Sequence, residues 1–257
     1  MIWNPFRRAP PRIDAARFLA VEEALPLLDH LAPAQRLALR QMALEFIAGR
    51  QWHGAHGLKL QQEMQLAISL QACLLVLELG LGWYDDWVGI VVYPGDFLIP
   101  RAQTDPDGVV HEYDEAALGE AWEGGPLLIS WFAGPNGSAQ RWEVEGVNIV
   151  IHEFAHKLDM RSGSADGMPP LHPGMSAQRW RQAFAPAYAD FCQRVDGGED
   201  TELDPYAAES PAEFFAVLSE SFFEDPALLQ GEYPQVYAQL RQFYRQDPLQ
   251  RCMMTKS

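Results

Sequence analysis

Apolar positions recur at helical spacing through residues 13–50, interrupted at Pro26 and Pro33 and ending at Gly49. The spacing predicts two helices, residues 15–31, kinked before Pro26, and residues 33–48. A Gly/His loop over residues 52–57 leads to a third helix, residues 60–79, nearly apolar all round in its second half and so expected in the core. Gly80 and Gly82 close it, and the period then changes. Residues 88–93 form a β-branched run bounded by Pro94 and Gly95, and residues 126–132 form a second apolar run ending at the turn Gly134-Pro135-Asn136-Gly137. Both read as strands, with a third over residues 140–145. Helical spacing returns at residues 147–159, with Val147, Val150, Ile151, Phe154 and Leu158 on the side expected to be buried. A Gly/Ser/Pro-rich loop over residues 161–174 precedes three more helices, residues 177–194, 211–224 and 234–246. Helices first, a small sheet next and helices again make an α+β chain that is mainly helical.

Composition narrows the function classes. With 257 residues, 48% apolar and 21% charged, the chain has ample hydrophobic surface for a folded core. The formal charge of -16 is uneven: residues 1–60 carry +3 and residues 61–257 carry -19. That balance argues against direct nucleic-acid contact and against docking on an anionic membrane, both of which need clustered Lys and Arg. Three scattered cysteines, Cys73, Cys192 and Cys252, without a CxxC pair fit a reducing compartment. No leader-like apolar run follows the basic N-terminus, and the greasiest stretch, residues 66–83, is too short and polar to span a bilayer. A soluble cytoplasmic protein is expected.

The chemistry concentrates in His152-Glu153-Phe154-Ala155-His156, an HExxH within the predicted helix over residues 147–159. Residues i and i+4 lie one above the other on a helix, so both imidazoles can reach one metal ion about 2.1 Å away. Glu153 then stands beside the pair, suited to hold a metal-activated water and take its proton. The bland alternative is a half-buried histidine pair with a solvated glutamate. A catalytic zinc site also needs a third protein ligand. The metzincin continuation requires Gly and His three and six residues past the second histidine, and the chain has Asp159 and Ser162 there, which excludes that class. Candidates are Asp159, better placed to orient an imidazole; His172 in the following loop; and Glu213, with Glu209 and Glu220 as rivals. Glu213 has a second reading, because Ser210-x-x-Glu213 is a capping box. Spacing alone leaves ligand and cap both open. His53 and His56 read as loop residues, and Tyr206 as an ordinary packing aromatic.

The segment from His152 to Met160, Tyr206, the run from Pro211 to Glu220 and the ending from Phe243 to Arg251 together resemble the Mlc titration factor A family of bacterial gluzincin-type zinc peptidases. The resemblance covers nearly the whole chain, more securely after residue 85, and that family's catalytic core is similar to anthrax lethal factor. It implies one zinc ion held by His152, His156 and Glu213, Glu153 as general base and Tyr206 as the group assisting the oxyanion. It also implies aminopeptidase-like activity on a peptide or protein substrate and binding of an Mlc-like glucose repressor; the alternative is a non-catalytic titration protein with a vestigial site. The Gly-Ala-Met-Glu-Asn signature of many gluzincin aminopeptidases is missing, so exopeptidase preference rests on the resemblance. The expected architecture is a helical part, residues 1–85, packed on a zincin-like core, residues 86–257, in one continuous domain. A small mixed sheet should lie above the HExxH helix, residues 126–132 being the expected edge strand for strand addition by an extended peptide. The loop over residues 161–174 is a candidate gate.

Overall fold

The computed structural model describes residues 9–29, 31–104, 110–131, 143–144 and 147–255. Helix α1 (Ala15–Glu23) begins at Asp14, whose carboxylate accepts the Arg17 N–H at 2.8 Å. It ends earlier than the spacing predicts, because Pro26 has no N–H to extend a helix; the chain makes a 3₁₀ turn, Pro26–Leu28, instead of a kink. Helix α2 (Pro33–Gly49) opens on proline, which is tolerated in a first turn. Helix α3 (Gln62–Leu75) is buried from Leu66 to its end, as its all-round apolar pattern predicts.

Where a loop was expected between α2 and α3, residues Gln51–Gly54 form strand β1. It pairs in parallel with β2 (Gly89–Tyr93), which pairs in parallel with β6 (Leu127–Ser130); β5 (Gly119–Ala121) closes the sheet antiparallel to β6. The order is therefore β1-β2-β6-β5. β6 is buried along its length, as a strand covered on both faces must be. The expectation that residues 126–132 supply an edge is thus corrected: β2 and β5 flank β6, and the edges among the described residues are β1 and β5, of which β5 lies beside β6.

Strands β3 (Phe97–Thr104) and β4 (Val110–Ala117) form a separate antiparallel ladder, and β7 (Glu143–Val144) pairs with β8 (Val147–Asn148). The strand predicted over residues 140–145 thus survives as β7, its other residues, the turn 134–137 and Phe132 lying outside the described residues. The rest is helical: α4 (Ile149–Asp159), α5 (Ala177–Asp196), α6 (Pro211–Glu224), α7 (Pro226–Glu232), α8 (Pro234–Tyr244) and α9 (Pro248–Thr255). Prolines at the first position of α6, α7, α8 and α9 divide the C-terminal region into short helices, two more than the spacing predicts. The chain is mainly helical with a small four-stranded mixed sheet. Among the described residues no helix is long and apolar enough to cross a membrane.

A buried cluster runs from Phe18 to Tyr244 and includes Phe46, Tyr84, Trp87 and Phe154. Phe154 of α4 meets these three rings at centroid distances of 5.7, 5.3 and 5.8 Å, respectively. Helix α4 is accordingly held from beneath by the N-terminal helices and from the side by α6.

Candidate metal centre

Every residue of α4 is buried, its polar ones included: His152 and His156 are each 6% exposed and Glu153 5%. Polar side chains on a buried helix must find partners within the protein, and those of the histidines come from α6. The Glu213 Oε2 atom lies 2.9 Å from His152 Nε2 and 3.1 Å from His156 Nε2, and the two Nε2 atoms are 3.1 Å apart. A tetrahedral ion bound at about 2.0–2.1 Å sets its ligand atoms about 3.4 Å apart. The three atoms therefore stand within a few tenths of an ångström of a metal's coordination triangle. This donor set, two imidazole nitrogens and a carboxylate oxygen, fits a metal ion.

The double reading of Glu213 resolves in space. Ser210 Oγ accepts the Glu213 N–H at 3.1 Å, so the serine caps α6, while the Glu213 carboxylate turns to the imidazoles. Glu220 lies seven residues on, on the same side of α6. Its Oε1 is 2.7 Å from His152 Nδ1 and its Oε2 accepts the Asn148 N–H at 2.6 Å. With the Nδ1 proton directed at Glu220, the His152 Nε2 lone pair faces the centre. Asn148 also caps α4 by accepting the Ile151 N–H at 3.1 Å, and its amide donates to Gln71 at 2.8 Å and to Glu224 at 2.6 Å. One polar chain thus links α3, α4 and α6 behind the histidines.

The remaining sequence candidates fall elsewhere. His172 Nε2 bonds the Phe243 carbonyl at 2.7 Å and its ring stacks on Phe243, so it is no ligand. Asp159 Oδ2 accepts the Gly167 N–H at 2.7 Å instead of orienting an imidazole. Trp180 Nε1 donates to the Gly167 carbonyl at 3.0 Å, and a Cβ on Gly167 would meet the Pro211 oxygen at 2.4 Å. These anchors tie the 161–174 loop to α4, α5 and α6 and argue against its swinging as a gate. Tyr206, in a 3₁₀ turn ahead of α6, is 48% exposed with its ring 6.1 Å from that of His152. The structure thus brings Tyr206 to the rim of the same cluster.

Burial, the largest influence on Glu153, pushes its carboxyl up, His152 and His156 pull it back, and it stands at about 6. Burial raises Glu213 too, but hydrogen bonds from the two imidazoles outweigh it and carry it down to about 2. For His152 burial acts downward, and the hydrogen bonds to Glu213 and Glu220 reverse it, holding the imidazole well above its ordinary value. Two neighbouring carboxylates are therefore pushed apart, a pattern associated with divided roles.

The family model for the glucose-regulated metallo-peptidase M90 matches residues 5–245. The chain belongs to this peptidase family. Its relatives include Mlc titration factor A of Klebsiella pneumoniae strain 342, 36% identical over 230 residues that cover 89% of this chain and 85% of the relative. Mlc titration factor A of Edwardsiella ictaluri is 37% identical over 254 residues, 98% of this chain and 95% of the relative. The protein slr2042 of Synechocystis is 39% identical over 248 residues, 96% and 88% of the two chains. Membership of a metallo-peptidase family implies a metal ion, and His152, His156 and Glu213 are the described His, Cys, Asp and Glu side chains whose donor atoms gather closely enough to hold one.

Residues that sequence reasoning missed are Asn148, Gly119 and the orienting role of Glu220. Asn148 had a legible signal as the polar residue just before the helix. Glu220 had one in its spacing of two helical turns from Glu213. Gly119 had none, because what it touches is fixed by the sheet: a Cβ there would sit 2.5 Å from Glu153 Cγ and Oε1.

Proposed function

We propose that this chain is a zinc-dependent peptidase of gluzincin type, aminopeptidase-like, built on a zincin-like core and working in the cytoplasm. The observation that carries the reading is the convergence of the His152, His156 and Glu213 ligand atoms beside a buried Glu153. His152, His156 and Glu213 would hold the ion and Glu220 would orient His152. A zinc ion bound there would polarise a scissile carbonyl and make water acidic enough to be deprotonated near pH 7. Glu153 Oε2 is buried without a hydrogen-bond partner in the described structure, which leaves a lone pair for that proton. Glu153 then delivers the proton to the leaving amine, and the Tyr206 phenol donates to the oxyanion. The β5 edge, in contact with Glu153 at Gly119, offers backbone N–H and C=O groups to an extended substrate. The acidic surroundings favour a protonated peptide amino terminus.

The name of the enterobacterial relatives supports a second reading, in which the chain sequesters an Mlc-like transcriptional repressor without contacting DNA and without turnover, its zinc site vestigial. Zinc-loaded wild type and Glu153→Gln, assayed on a peptide library with zinc content measured alongside, decide between them. The peptidase reading expects hydrolysis by wild type and a loss of about 10²–10⁴-fold in the variant, with zinc retained. No turnover in either protein would leave only the sequestration reading, and equal rates of hydrolysis in the two would remove Glu153 as the general base.

A further inference from the structure

Helix α4 carries a second i, i+4 pair beside the histidines: Glu153 and Lys157 share a face one residue round from His152 and His156. Lys157 is 2% exposed, and its ammonium donates to the carbonyls of Trp122 at 2.5 Å and Gly125 at 2.9 Å while lying 5.0 Å from the Trp87 ring centroid. Both carbonyls belong to the turn joining β5 to β6. That turn closes on itself through Gly125 N–H to Trp122 O at 3.0 Å and Trp122 N–H to Pro126 O at 3.3 Å. Among the described residues no carboxylate stands within ion-pair distance of Lys157. A buried ammonium is expensive in free energy unless hydrogen bonds compensate its lost hydration, as the bonds to these two carbonyls do in part.

What they hold is the strand above Glu153. Two residues separate Gly119, whose backbone touches the Glu153 carboxylate, from Trp122, where Lys157 grips the turn. A shift of the hairpin by a fraction of an ångström changes the Gly119 contact, since a mere Cβ there would overlap Glu153. We infer that Lys157 is a positioning residue: it clamps the β5–β6 turn to α4, so that β5 stands at a fixed height over the site and Gly119 fixes where the Glu153 carboxylate points. The inference rests on the peptidase reading for its kinetic consequence, and on hydrogen bonding alone for its structural one.

The test uses the full-length, zinc-loaded protein and its Lys157→Met, Lys157→Arg and Gly119→Ala variants. Three quantities are measured: kcat and KM on peptides, zinc per chain, and amide hydrogen exchange at residues 119–121. Lys157→Met should lower kcat/KM by about 10–100-fold, in line with the cost of a small misplacement near the reacting atoms. Exchange at 119–121 should quicken and zinc content should not change. Lys157→Arg, which keeps donors for the two carbonyls, should recover part of both losses. Gly119→Ala should lower kcat with exchange still slow. Wild-type kcat/KM and exchange in Lys157→Met overturn the inference. If Lys157→Met does not fold, wild-type kcat in Gly119→Ala overturns it instead. Should the wild type hydrolyse nothing, the peptidase reading fails separately, and exchange in Lys157→Met then decides whether Lys157 holds β5.

Discussion

Two stripes of α4 obey the same spacing and serve opposite ends. His152 and His156, four residues apart, face α6 and bring nitrogen lone pairs to Glu213; Phe154 and Leu158, also four apart, are fully buried in the hydrophobic cluster, where Phe154 meets Phe46, Tyr84 and Trp87. The apolar stripe is stabilised by area removed from water and by close packing, which many residue combinations supply. The polar stripe places buried groups that gain nothing unless each meets its partner at hydrogen-bond or ligand distance. A helix that is buried all round therefore gets its stability from one side and its chemistry from the other.

The sharpest way to break this division is Phe154→Ala. Removing a fully buried ring that contacts three aromatics should cost about 3–5 kcal/mol of folding stability, read from denaturant unfolding. The protein that remains folded should still bind one zinc ion; loss of zinc at full folding would mean that the two stripes are not separable. Glu220→Gln probes the polar side with a smaller effect. It keeps the shape but weakens the hydrogen bond to His152 Nδ1, so zinc affinity in competition with a chelator should fall about 10–100-fold. An unchanged affinity would show that Glu220 does not orient His152 for the metal. The smallest effect is a pH limb. With Glu153 held at about 6, because burial raises it more than the imidazoles lower it, the carboxylate is ionised above that pH and can accept a proton. Below it the group is neutral, so kcat/KM should be halved near pH 6 and fall about tenfold for each further unit. A flat profile from pH 5 to 8 would deny Glu153 the role of base.

The same contrast explains what could be read from the residues alone. The helix of the HExxH and its facing imidazoles follow from periodicity, a local property, and α2, α3, α5 and α6 appear close to their predicted bounds for the same reason. Glu213 did not follow, since Ser210-x-x-Glu213 satisfies a cap as well as a ligand; packing of α6 against α4, 57 residues away in sequence from His156, makes the choice. Strands β1 and β5 escaped because three or four residues containing Gly, Gln, His or Glu have little intrinsic strand preference and are strands only beside β2 and β6. Sheet order is likewise a tertiary property, which is why the edges fell to β1 and β5 when residues 126–132 had the stronger local pattern. The resemblance to the peptidase family supplied Glu213 and Tyr206 as candidate site residues, where spacing left Glu213 open and read Tyr206 as an ordinary packing aromatic.

We propose that α4 and α6 together hold one metal ion. The most direct test is the zinc content of purified protein after exhaustive dialysis, by elemental analysis, in wild type, His156→Ala and Glu213→Ala. One zinc ion per chain is expected in the wild type and none in either variant, all three remaining folded. A wild type without zinc, or a Glu213→Ala variant that retains zinc as tightly as the wild type, would contradict it.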